Sequence, residues 1–121
     1  MPETVLIVDD DPAVRRVLRK MLQPAGYPLL EAADGDEALR LVKDRLPSLI
    51  LLDMHMPRMD GIAALDHILE IDPKARVIMV TGDGDDARTR LALERGACDV
   101  ILKPFGAEGL RNSVLVNLAA R

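Results

Sequence analysis

The sequence predicts an α/β domain in which helices cover both faces of a five-stranded parallel sheet, a doubly wound arrangement. Five short segments rich in Val, Ile and Leu alternate with stretches long enough to form a helix, which is typical of parallel strands joined by crossovers. The segments are almost continuously apolar, as in 49–52, and this favours strands buried on both faces. The predicted strands are 4–9, 28–32, 48–53, 76–81 and 99–103.

The first three helices have clear start signals. Apolar residues recur at the i, i+3, i+4, i+7 spacing from Val14 to Leu22, and Asp11 before them is the predicted N-cap. Asp34 and Asp60 are the predicted N-caps of the second and third helices. Each of these three helices therefore follows directly on a predicted strand and its loop.

The last two helices are predicted from spacing and from glycine. The fourth is expected to begin near Asp85 or Asp86 and to stop at Gly96, and the fifth to run from about Glu108 to Ala119. No linker, repeat or low-complexity segment interrupts the pattern, so a single domain over residues 1–121 is expected.

Composition limits the classes of function. Apolar residues make up 49% and charged residues 30%, an ordinary globular balance, and the apolar runs are too short to span a bilayer. The net charge is −4 without a basic block, which argues against direct nucleic-acid binding. The beginning of the chain lacks signal-peptide features and Cys98 is the single cysteine, so a cytoplasmic protein without disulfides is expected.

Polar residues stand where the predicted strands end. In an open parallel sheet, ligands gather outside the carboxyl ends of the strands, so these side chains are expected to converge. They are Asp9, Asp10 and Asp11 after the first strand, Asp53 at the end of the third, Thr81 at the end of the fourth and Lys103 at the end of the fifth.

Such a cluster of acids implies a cation. Two carboxylates about 4 Å apart repel each other by about 4 kcal/mol at an effective dielectric constant of about 20, and Lys103 supplies only one positive charge. Oxygen ligands in a site that also admits phosphate favour Mg2+. Asp53 is then the candidate carboxylate nucleophile for a phosphoryl group, with Thr81 and Lys103 sharing the charge of the phosphoryl oxygens.

Four sequence blocks resemble the signatures of response-regulator receiver domains, including the chemotaxis regulators. In chain order they are Ile7-Val8-Asp9-Asp10-Asp11-Pro12, residues 51–61 (LLDMHMPRMDG), Val80-Thr81-Gly82 and Lys103-Pro104-Phe105. The resemblance covers essentially the whole chain. It implies a flavodoxin-like sheet in the order 2-1-3-4-5 with five helices.

The same resemblance implies a function and a site. A histidine kinase or phosphotransfer protein would phosphorylate Asp53, and the domain would then act on a downstream effector or a fused output domain. Asp10, Asp53 and the backbone carbonyl of His55 would bind Mg2+, and Asp9 would act through water. The Lys103-Pro104 bond would be cis. Receiver domains catalyse their own phosphorylation and slow dephosphorylation, so an enzyme acting on a separate substrate is not expected.

Two positions depart from the commonest pattern of the family: Val100, and Cys98, where members commonly have an acidic or polar residue. Members often carry Tyr or Phe three residues before the lysine, where this chain has Val100. A stiff, branched side chain is a poor substitute for a mobile ring. Switching is therefore expected to depend on Thr81 and on the neighbouring Gly82 and Asp83.

Two other functions compete with this interpretation. A phosphohydrolase of the haloacid dehalogenase type would use Asp9 and Asp11, but Ala13 stands where such enzymes need a small polar or branched residue. A flavodoxin-like cofactor module needs a phosphate-binding loop after the first strand, and this loop is acidic and lacks glycine. Neither alternative accounts for as many residues as the receiver interpretation.

Overall fold

A computed structural model describes residues 3–82 and 86–120, and within them strands and helices alternate as predicted. A short 3-10 turn, Gln23–Ala25, follows the first helix and was not predicted. The elements are β1 (Val5–Val8), α1 (Pro12–Leu22), β2 (Leu29–Ala32), α2 (Gly35–Arg45), β3 (Leu49–Asp53), α3 (Gly61–Ile71), β4 (Arg76–Thr81), α4 (Asp86–Glu94), β5 (Asp99–Leu102) and α5 (Ala107–Ala119).

All five strands belong to one parallel sheet in the order β2-β1-β3-β4-β5. β1 lies between β2 and β3, so the strand order reverses at β1, and the loops after β1 and β3 leave the sheet side by side. The register places Val8 opposite Leu52 and Asp53 opposite Val80. The predicted doubly wound fold and its strand order are confirmed.

Aspartate caps the first three helices, as predicted. The Asp11 carboxylate accepts a hydrogen bond from the Ala13 amide at 2.9 Å, and the Asp34 carboxylate accepts one from the Glu37 amide at 2.8 Å. Asp60 accepts hydrogen bonds from two amides in the first turn of α3. These caps satisfy amides that have no partner within the helix, so each helix begins at a defined residue.

Two apolar layers fill the space on either side of the sheet. On one side, alternate strand residues such as Leu6 and Ile50 pack with α2 and α3; on the other, residues such as Ile7 and Leu51 pack with α1 and α5. Burial on both faces is confirmed for the central strands. It is wrong for the edge strands: β2 is mostly half-buried, and β5 leaves Leu102 55% exposed, because an edge strand has a neighbour on one side only.

The last two helices lie close to their predicted bounds. α4 ends at Glu94, two residues before Gly96, whose φ of +111° is a left-handed conformation that glycine tolerates without strain. α5 begins at Ala107, one residue before the predicted start. None of the helices in the described part of the chain is long and apolar enough to cross a membrane.

Candidate functional site

The predicted polar residues lie at the carboxyl ends of β1, β3, β4 and β5. Asp9, Asp10, Asp53 and Lys103 come together there, whereas the Asp11 carboxylate caps α1. Asp9, Asp53 and Thr81 are buried, with 3%, 7% and 1% of their surface exposed, whereas Asp10 is exposed. One carboxylate oxygen from each of Asp9, Asp10 and Asp53 lies within 4.8 Å of the others. The structure thus brings together two acids from the loop after β1 and one from the last residue of β3.

One ammonium group faces two of these acids. The Lys103 Nζ atom lies 3.7 Å from Asp9 Oδ2 and 3.9 Å from Asp53 Oδ1. Burial raises the pKa of Asp9 and of Asp53, and the neighbouring Asp9 charge raises the pKa of Asp53 further, while Lys103 opposes both increases. Burial is the largest of these effects, so both pKa values rise although Lys103 lies close to the two carboxylates.

Backbone amides orient the two buried carboxylates. The Asp11 amide donates to Asp9 Oδ1 at 2.9 Å, and the His55 amide donates to Asp53 Oδ1 at 3.4 Å. Both bonds join residues two apart, so each acid is held by the loop that follows its own strand. His55 lies two residues after Asp53 and is exposed; the resemblance assigns a metal-binding role to its backbone carbonyl and not to its side chain.

A close backbone approach holds the end of β3 against the start of α3. The Gly61 amide donates to the Met54 carbonyl at 2.8 Å, and a Cβ atom at Gly61 would lie 2.5 Å from the Asp53 carbonyl oxygen and 2.7 Å from Met54 Cα. Only glycine leaves this space free. Between these points Arg58 has a φ of +71°, which reverses the chain within the loop.

Thr81 and Lys103 are joined through the backbone. The Lys103 amide donates to the Thr81 carbonyl at 2.8 Å, and the Lys103-Pro104 peptide bond is cis. Gly82 is exposed beside the Lys103 side chain. Val100 is half-buried on β5 and pairs with Met79 of β4. Asp83, the remaining predicted switch residue, lies outside the described residues.

Sequence reasoning missed one residue of the site. Arg15 of α1 donates from Nη1 to the backbone carbonyl of Asp9 at 2.7 Å and from Nε to Glu31 Oε1 at 3.1 Å. The available signal was Glu31 itself, a carboxylate within an otherwise apolar strand segment, which requires a polar partner when it is partly buried.

The donor set fits a hard divalent cation. The candidate ligands that the structure brings together are all carboxylate oxygens, from Asp9, Asp10 and Asp53, and the resemblance adds the carbonyl oxygen of His55. Among the described residues, the cluster holds no imidazole or thiolate that would favour a transition metal. Mg2+ and Ca2+ both prefer such ligands, and two of the three acids bear pKa values raised by burial and mutual repulsion that a cation would relieve.

The sheet order and the acidic cluster at the carboxyl ends of its strands define a doubly wound α/β domain of the flavodoxin-like class. Residues 5–115 match the family described as the response regulator receiver domain, and the chain belongs to that family. Receiver domains are phosphoacceptors of two-component systems rather than conventional enzymes.

Two relatives show the range of proteins that contain such a domain. The chemotaxis protein CheY of Thermotoga maritima is 40% identical over 106 residues, which cover 87% of this chain and 88% of that protein. A probable transcriptional regulator, ycf27, of Guillardia theta is 40% identical over 108 residues, which cover 89% of this chain and 42% of that protein. The chain is therefore similar to a whole CheY and to less than half of a longer regulator.

Solved structures agree with the fold over the whole chain. A CheY-like receiver domain protein from Methanospirillum hungatei JF-1 has a TM-score of 0.94 at 29% identity, covering 99% of this chain and 96% of that one. A response regulator from Burkholderia pseudomallei has a TM-score of 0.87 at 25% identity, covering 98% of this chain and 69% of that one. The latter was crystallised with a phosphorylated aspartic acid, a calcium ion and citrate.

Proposed function

We propose that this receiver domain accepts a phosphoryl group on Asp53 from a histidine kinase or phosphotransfer protein, with Mg2+ bound at the acidic cluster. The observation that carries the proposal is the position of the Asp53 carboxylate. It is buried at the end of a central strand, next to Asp9 and Asp10, and its Oδ1 lies 3.9 Å from Lys103 Nζ. A phosphoaspartate and a divalent cation occur together in the Burkholderia pseudomallei response regulator, which supports the proposal by similarity.

The reaction is a transfer between two nucleophiles. A carboxylate oxygen of Asp53 attacks the phosphorus atom of the donor phosphohistidine, forming a P–O bond as the P–N bond breaks. The donor imidazole keeps the electron pair of the broken bond and takes up a proton, and Asp53 becomes an acyl phosphate. When bound, Mg2+ supplies positive charge that offsets the charge of the phosphoryl oxygens.

Residues of this chain divide the remaining tasks. Asp10, Asp53 and the His55 carbonyl are the proposed metal ligands, and Asp9 acts through water. Lys103, which already faces both buried acids, would pair with a phosphoryl oxygen, and the Thr81 hydroxyl would donate to another. Holding these groups in place before transfer avoids reorganisation during the reaction.

The switch follows from the same contacts. Movement of Thr81 toward the phosphoryl group would displace Gly82, Asp83 and the first turn of α4, which follow it directly in the chain. Response regulators work with histidine kinases and output domains. We therefore propose that this displacement changes the affinity for a downstream effector or a fused output domain in the cytoplasm.

Treatment with a small acyl phosphate and Mg2+, followed by intact-mass measurement, tests the phosphoacceptor. The parent should gain one phosphoryl group, and Asp53→Asn should gain none. Asp44→Asn, which changes an exposed acid on α2, is the matched control and should be labelled like the parent. A stoichiometric phosphoryl group on the Asp53→Asn protein would contradict the assignment.

A parallel incubation with a phosphomonoester and Mg2+ separates the domain from a phosphohydrolase of the haloacid dehalogenase type. A receiver domain should be labelled once and then release phosphate slowly, whereas a phosphohydrolase should hydrolyse phosphomonoesters over many turnovers. No observation in the structure favours the second reaction.

A further inference from the structure

Arg15 connects three elements at the acidic end of the sheet. Its guanidinium pairs with Glu31 of β2 at 3.1 Å, and it donates to the Asp9 carbonyl at 2.7 Å, with 17% of the side chain exposed. Arg19, one helical turn later, pairs with the other Glu31 oxygen at 2.7 Å. In the described part of the chain, only Arg15 of these two contacts Asp9.

The accepting carbonyl belongs to the peptide group that joins Asp9 to Asp10. Fixing this peptide group fixes the positions of both Cα atoms and so restricts where the two side chains can go. The Asp11 amide holds the Asp9 carboxylate from the other side at 2.9 Å. Residues 9 and 10, which carry two of the three clustered acids, are thus held by one hydrogen bond to the backbone and one to the Asp9 carboxylate.

We infer that Arg15 is a positioning residue for the metal site: anchored by Glu31, it holds the Asp9-Asp10 peptide so that both carboxylates face Asp53. The inference rests on the proposed function, since it concerns the same cation. Outer residues that orient metal ligands commonly change metal affinity by about 10- to 100-fold when they are removed.

Charge and position make opposite predictions for the loss of Arg15. A positive charge beside a cation site repels the cation, so its removal through charge alone should strengthen Mg2+ binding. Loss of the hydrogen bond to the Asp9 carbonyl should instead weaken Mg2+ binding, because the ligands then have to be ordered when the ion binds. The sign of the change in Kd therefore identifies the role.

Titration calorimetry with MgCl2 on the unphosphorylated chain measures this change directly. We expect Arg15→Ala to raise the Kd for Mg2+ by about tenfold or more. Arg19→Ala is the matched control, because it removes the same charge and a contact with the same Glu31, and its Kd should stay within about threefold of the parent. Arg15→Lys keeps the charge but cannot hold both partners with one planar fork, so its Kd should lie between those of the parent and Arg15→Ala.

Three results would overturn the inference. Arg15→Ala could bind Mg2+ as tightly as the parent or more tightly, Arg19→Ala could weaken binding equally, or Arg15→Lys could bind like the parent. Far-ultraviolet circular dichroism identifies variants that do not fold; if Arg15→Ala is among them, Arg15→Lys decides the question by the same comparison with Arg19→Ala. Absence of Mg2+ binding by the parent protein is a different outcome and contradicts the proposed metal site itself.

Discussion

The Asp53 carboxyl group shows how the site combines burial with charge. Folding removes it from water and places it near Asp9, and both effects raise its pKa above the ordinary value of 3.8. A carboxyl group with a raised pKa binds its proton more tightly in the folded state than in the unfolded state. Between the ordinary pKa and the raised one, the free energy of unfolding consequently falls as the pH rises.

Replacing Asp53 should therefore stabilise the metal-free protein. In EDTA at neutral pH, we expect Asp53→Asn to have a larger free energy of unfolding than the parent, since the buried like charge beside Asp9 is gone. The part of this difference that comes from ionisation should shrink as the pH falls through the raised pKa and be lost well below 3.8, where the parent carboxyl is protonated in both the folded and the unfolded state. Urea unfolding of both proteins at a series of pH values measures this difference. Equal free energies of unfolding at neutral pH would show that the ionised Asp53 carboxylate does not destabilise the fold.

Glu31 should show the opposite pH dependence. Hydrogen bonds from Arg19 and Arg15 lower its pKa, so the folded state holds fewer protons at this group than the unfolded state. Its contribution is present above the ordinary value of 4.5 and is lost as the pH falls through the lowered pKa. We expect Glu31→Gln to be less stable than the parent at pH 7, by roughly 1 kcal/mol for a partly exposed pair, and equally stable in strong acid. Thermal melts at both pH values check this.

For single residues, the sequence predicts contacts between neighbours in the chain, and it does not predict contacts between residues that are far apart in the chain. Asp11, Asp34 and Asp60 were predicted as N-caps because the cap and the amides it satisfies are neighbours in the chain. Arg15 was missed because its partner Glu31 lies on another element, and on a helical pattern Arg15 only marks the polar face.

At the scale of elements, the junction of β3 and α3 depends on Gly61. A Cβ there meets backbone atoms of Asp53 and Met54 at 2.5–2.9 Å, and backbone cannot rotate aside as a side chain can. We expect Gly61→Ala to destabilise the fold by about 1–3 kcal/mol and to weaken Mg2+ binding, because the end of β3 must shift. Urea unfolding and calorimetry measure the two effects.

Gly109 provides the contrasting control for this prediction. It lies within α5, is exposed, and has nothing within 4 Å of an added Cβ. Gly109→Ala should stabilise the protein by about 0.5–1 kcal/mol, as alanine favours a helix, and should leave Mg2+ affinity unchanged. If Gly109→Ala lowered the stability and the Mg2+ affinity as much as Gly61→Ala, the close backbone approach at Gly61 would not be the cause of these losses.

The switch is expected to involve the segment after β4 more than β5. Val100 is half-buried and branched, so Val100→Ala should change the energies of the phosphorylated and unphosphorylated states almost equally. The ratio of the partner affinities of these two states should therefore change by less than about tenfold, or about 1.4 kcal/mol. Thr81→Ala should reduce that ratio far more. Amide chemical shifts with a beryllofluoride phosphate mimic test this without a partner: large changes are expected at Gly82 and the first turn of α4. Large changes confined to 99–102 would refute it.

Element boundaries and burial differed in how well the sequence predicted them. Every strand was located to within a residue at each end, because apolar runs bounded by polar residues are local features. Burial of β2 and β5 was overestimated, because the position of a strand at the sheet edge depends on the topology. The 3-10 turn at Gln23–Ala25 was missed since Pro24 was compatible with an ordinary loop.

At the scale of the whole molecule, Mg2+ should stabilise the unphosphorylated fold. An ion that binds the folded cluster and not the unfolded chain adds about 1.4 kcal/mol at ten times its Kd. Thermal melts with and without MgCl2 should show a higher midpoint for the parent. Asp10→Ala removes an exposed proposed ligand without leaving a cavity, so Mg2+ should change the midpoint of this variant little. If Mg2+ raised the melting midpoint of both proteins equally, the ion would bind at a place other than this acidic cluster.

The strand order β2-β1-β3-β4-β5 also bears on the order in which the site can form as the chain is synthesised. Asp9 and Asp10 are synthesised before Asp53, and Lys103 follows β5, the last of the five described strands in chain order, which pairs with β4. A growing chain therefore carries every acid of the cluster well before it has the ammonium that faces them. Until β5 pairs with β4, the mutual repulsion of these acids lacks that counter-charge, so the pairing of this edge strand also completes the polar cluster.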